Sequence, residues 1–118
     1  KSQGVSFCQT EREIMGVDHQ QLGMGLAEHW KFPRSCQLVA GHHHEPTVLS
    51  DINRLLVSVV YAADTLVCAQ PTGAGFNLTA IGQKIEDGSL DHVKIDSALI
   101  DRTRTALPEL LSSSKGLF

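Results

Sequence analysis

The sequence predicts an all-α domain, and three observations carry that reading. Apolar residues recur at helical spacing in two stretches, Leu22 to Trp30 and Ile52 to Ala63. Residues that start or stop helices punctuate the chain: Gly16, Asp18 with Gln21, Pro33, Pro46 and Ser50-Asp51. A long apolar run, Leu55 to Val67, interrupted by Ser58 and Asp64, reads as a central helix.

The first helix is expected from about Ser6 to Met15, ended by Gly16. Asp18 suits the N-cap of the second, with Gln21 three residues on completing a capping box. There Leu22, Gly23, Leu26, Ala27 and Trp30 mark the expected buried face, and His19, one turn before Gly23, points the same way. Gly23 removes a side chain from that face and invites close approach of a neighbouring helix. Pro33 fits the first turn of a third helix running to about His43, which Pro46 stops. Ser50 or Asp51 then caps a long helix through about Ala69. Its expected core face is Ile52, Leu55, Leu56, Val59, Val60 and Ala63, with Asp64 in register one turn after Val60.

Pro71-Thr72-Gly73-Ala74-Gly75 reads as a flexible connection. Beyond it the pattern gives a short helix near Thr79 to Ile85, a turn at Asp87-Gly88 and a last helix near Asp96 to Leu111. Pro108 is expected to kink or restart that helix, and the tail Ser112 to Phe118 to fray. Residues 71–118 are accordingly read as a helical extension packed on the core of residues 1–70.

A chain of 118 residues supports one small core. Its 42% apolar and 19% charged content suits a soluble globular protein, and a net charge of -3 gives no general attraction to nucleic acid or anionic lipid. No run reaches the roughly 18 apolar residues of a membrane helix. Cys8, Cys36 and Cys68, odd in number and widely spaced, fit a reducing cytoplasm and read as buried, inert thiols. The chain begins at Lys1 rather than Met, as a segment of a longer protein would.

The chemistry-bearing residues are polar groups on faces expected to be apolar. A carboxylate in the position of Asp64 requires a partner: a histidine, Tyr61, a helix N-terminus or a metal. The run His42-His43-His44 closes a predicted helix, where cationic imidazoles also suit the helix dipole. Successive helical residues point about 100° apart, so at most two of the three converge on one site. His29 and His92 read as surface residues. Thr72-Gly73-Ala74-Gly75 lacks the Lys-Ser/Thr of a phosphate loop, and no serine stands in a nucleophile elbow.

Taken in order, Gly16-Val17-Asp18-His19, Leu22-Gly23, Leu26-Ala27-Glu28-His29-Trp30 with Pro33, His43-His44-Glu45-Pro46, and Ala62-Ala63-Asp64-Thr65-Leu66 resemble the C-terminal half of an HDOD domain, an HD-related output domain of bacterial signalling proteins. The resemblance runs from about Glu11 to Ala69. It implies an HD-domain-like helical bundle, here a segment of a larger HDOD domain, related to metal-dependent phosphohydrolases and cyclic-di-GMP-cleaving enzymes. By that resemblance His19 matches a later ligand histidine, His43 and His44 the paired histidines before Glu, and Asp64 the final Asp. The departures are equally plain. No histidine precedes His19, no His-Asp doublet occurs, and Pro46-Thr47-Val48 stands where the cyclic-di-GMP enzymes carry Gly-Tyr-Pro.

The resemblance therefore implies a cytoplasmic, non-catalytic regulatory module that binds a signalling protein or another domain of its own chain. His19, His43, His44 and Asp64 would form a residual polar cluster, with no cofactor expected. The alternative is an HD-type metal-dependent phosphohydrolase or cyclic-dinucleotide phosphodiesterase. It would hold iron, manganese or zinc at those four residues only with further ligands from sequence before Lys1.

Overall fold

A computed structural model describes residues 6–70, 80, 83–85 and 89–114. The described residues form five α-helices: α1 (Phe7–Met15), α2 (His19–His29), α3 (Arg34–His42), α4 (Asp51–Cys68) and α5 (Ser97–Ser114). Single 3-10 turns lie at Pro46–Val48 and Asp91–Val93, and no strand occurs among the described residues. The fold is all-α, as expected. Among the described residues no helix is long and apolar enough to cross a membrane.

Local chemistry sets the helix ends. The Ser6 side chain accepts from the Gln9 amide at the start of α1, and Gly16, at φ 78°, closes it in the left-handed conformation that glycine adopts without a Cβ clash. Asp18 caps α2 in a complete capping box with Gln21. Its carboxylate, in a residue only 1% exposed, also takes an ion pair from Arg12 and so ties α1 to the start of α2. Lys31, at φ 58°, turns the chain out of α2. Pro33 stands at the N-cap of α3, one position before the expected first turn. Ser50 precedes α4.

Two expected core faces are corrected by the packing. On α2, Leu22, Leu26 and Trp30 are exposed, while Gln20 and Ala27 are buried. The reason is the small-residue seam: a Cβ built on Gly23 would lie 3.5 Å from the Cβ of Ala40, so α2 turns its slim side to α3. On α4, Ile52 (90% exposed), Leu55, Leu56 and Val59 face outward, and the core takes Val57 (1% exposed), Ser58, Ala62, Thr65 and Leu66. Because α4 carries apolar residues nearly all the way round, hydropathy alone does not choose its inner side.

Cys36 is exposed and Cys68 half-buried, so of the three thiols only Cys8 is buried. Pro108 sits within α5, which runs unbroken through it to Ser114, so Ser112 to Ser114 are helical rather than frayed. Gln83 to Ile85 are not helical. The expected connection at 71–75, the turn at 87–88 and the last residues, 115–118, lie outside the described residues.

Candidate functional site

The α2–α3 seam brings the histidines together. Gly23 meets Ala40 at the seam. One turn back along α2 is His19, and one turn forward along α3 are His43 and His44. In an antiparallel pair those two displacements arrive at the same end. His43 and His44 follow the last residue of α3 in a turn. His43 keeps αR backbone and its amide bond to the Val39 carbonyl, and it and His44 both reach His19, two of the run of three as helical spacing allows. His19 Nε2 lies 3.3 Å from His43 Nε2 and 3.1 Å from His44 Nε2.

The other ring nitrogens are each held by an acceptor. His19 Nδ1 faces Glu11 Oε2 at 2.6 Å, and the same oxygen accepts from the His19 amide at 3.1 Å. His43 Nδ1 faces the carbonyls of Val39 (3.0 Å) and Ala40 (3.2 Å). His44 Nδ1 faces Gln83 Oε1 at 2.8 Å. Since these oxygens only accept, all three Nδ1 atoms are donors, and in neutral rings the Nε2 lone pairs of His43 and His44 both face that of His19. Facing lone pairs repel unless a proton or a cation lies between them.

Polar side chains anchor this arrangement on every side. Buried Gln20 accepts the His44 amide at 3.0 Å and donates to Cys8 Sγ at 3.8 Å. Gln83 Nε2 donates to Thr65 Oγ1, which itself donates to the Tyr61 carbonyl at 2.8 Å, so the cluster is linked to α4. Burial alone raises the Glu11 carboxyl, but the hydrogen bonds from His19 outweigh it and hold it below its ordinary value. Burial first, then the neighbouring His44, lowers His43. Burial, then the Asp18 and Glu11 carboxylates, raises the Cys8 thiol.

Of the residues singled out by sequence, the structure gathers His19, His43 and His44. Asp64 is half-buried on α4, the helix that Gln83 ties to His44 by donating to Thr65 Oγ1 and to the Tyr61 carbonyl. Among the described residues, a group of potential metal ligands with donor atoms all within 4.8 Å of one another is Cys8, His19 and His44; His43 and Asp64 are outside it. His29 and His92 are exposed. Sequence reasoning missed Cys8, Glu11, Gln20 and Gln83. A thiol and a carboxylate three residues apart share one helix face, which was a readable signal for the first two. Gln83, 39 residues from His44, carried none.

The family model of the HDOD domain matches residues 1–46, the segment that holds Cys8, Glu11 and all three clustered histidines. No curated protein matches the chain, and no solved structure does.

Proposed function

We propose that this chain, HDOD-like over its first 46 residues, serves as a non-catalytic regulatory and interaction module of cytoplasmic signal transduction. The observation that carries this reading is the HDOD match combined with a histidine cluster in which no histidine is followed by aspartate, so the 118 residues contain no catalytic His-Asp doublet. The outward face of α4 supports it. Ile52, Leu55, Leu56 and Val59 line a groove of about 520 Å3 with Leu38 and Val57, and contiguous exposed apolar surface marks contact with a partner. The partner class is a signalling protein or another domain of the same polypeptide. The cysteines, none in a disulfide, suit a reducing compartment.

A second reading, an HD-type phosphohydrolase or cyclic-dinucleotide phosphodiesterase, is favoured by one feature: imidazoles converging through Nε2 with each Nδ1 held by an acceptor, as metal-ligating histidines are. The two readings separate in a turnover assay with cyclic-di-GMP and bis(p-nitrophenyl) phosphate in the presence of manganese, iron or zinc. No hydrolysis above the metal-only blank is expected. Metal-dependent turnover that disappears in His19→Ala would sink the regulatory reading.

A further inference from the structure

We propose that Cys8 Sγ, His19 Nε2 and His44 Nε2 form a three-donor site for a divalent cation of the zinc class, clamping α1, α2 and the end of α3 together. The site goes beyond the regulatory reading, since it fixes the fold whether or not the domain turns over a substrate.

Four observations carry it. One ligand atom from each of Cys8, His19 and His44 lies within 4.8 Å of the other two, and the three residues come from α1, α2 and the turn after α3. A tetrahedral zinc ion with bonds of about 2.0–2.1 Å to imidazole holds its nitrogen donors about 3.3 Å apart. The His19–His44 separation of 3.1 Å is that of such an edge, reached with the rings already facing. Each imidazole is oriented through Nδ1, by the Glu11 carboxylate for His19 and by the Gln83 amide oxygen for His44. This is the outer-shell pattern that fixes a ligand's tautomer and raises its basicity. Finally, Gln20 bridges the thiol and the His44 backbone, so the sulfur and the second imidazole are positioned by one side chain.

Nitrogen and thiolate donors select zinc over magnesium or calcium, which prefer oxygen. On binding, the Cys8 S–H bond breaks, its proton passes to solvent and the sulfur lone pair goes to the metal. Water completes the tetrahedron. His43, its Nε2 3.3 Å from that of His19, borders the site without joining the donor group.

The test is titration of the purified protein with cobalt(II), a spectroscopic substitute for zinc, followed by absorption and thermal unfolding. About one cobalt per chain is expected, with a sulfur-to-cobalt charge-transfer band and a raised unfolding midpoint. Zinc should displace the cobalt. Cys8→Ser is expected to abolish the band and weaken binding at least tenfold, as is His44→Ala, whereas Cys36→Ser leaves both unchanged. Circular dichroism identifies any variant that fails to fold, and for such a variant the wild-type band carries the decision. Cobalt bound without the band, or with a band that survives Cys8→Ser in a folded protein, overturns the proposal. So does binding lost in Asp64→Asn but kept in Cys8→Ser, which would place the metal elsewhere.

Discussion

The histidine end of the α2–α3 hairpin and the outer face of α4 break the same expectation in opposite directions. At the first, polar groups go inside: Asp18 and Gln20 are buried, and His19, His43 and His44 are half-buried with their ring nitrogens engaged. At the second, apolar groups go outside, with Ile52, Leu55, Leu56 and Val59 in the open. Burial of polar groups is tolerated because each finds a partner within the chain, and an unpaired one would cost about 1–3 kcal/mol. The apolar groups on the outer face of α4 find no such cover among the described residues. The first region finds hydrogen-bond partners for its buried polar groups within the chain, and the second leaves its apolar groups open among the described residues.

The comparison breaks most severely at the seam that supports the histidines. Gly23→Leu drives a branched side chain into Ala40, and we expect a loss of about 3 kcal/mol in urea unfolding, with overpacking as the cause. Gly23→Ala, whose Cβ would meet Ala40 at ordinary contact distance, is the control that should retain wild-type stability or better. Next in size is Val57→Ala on the inner side of α4, expected to cost about 2 kcal/mol by the same measurement. Smallest is Ile52→Lys on the outer side, expected within about 0.5 kcal/mol of wild type. A larger loss for Ile52→Lys than for Val57→Ala would reverse the orientation of α4 and dissolve the contrast between the two regions.

Much of the fold was legible because helix ends are written locally. Ser6, Gly16 and the Asp18–Gln21 box each act within a few residues, and they sit where the sequence puts them, as does Ser50 at the start of α4. The inward faces were not legible on the same terms. On α4 the apolar residues surround the helix, and on α2 packing selects the slimmest side rather than the most apolar one. The convergence of His19 with His43 and His44 could be approached from sequence through Gly23, which marks the seam. The thiol and the glutamines depend on contacts between separate elements, Cys8 with Gln20 and Gln83 with both His44 and Thr65. No local pattern encodes those meetings.

The Gln83 bridge has a direction. An amide side chain accepts at one end and donates at the other, and here the accepting end meets His44 while the donating end meets Thr65. Turning the amide over would offer an N–H to the imidazole and a carbonyl to the Thr65 hydroxyl, which must then abandon the Tyr61 carbonyl it now serves. The position of one proton on His44 and the allegiance of one hydroxyl in the middle of α4 are therefore a single two-position choice. The cluster and the long helix keep the same setting.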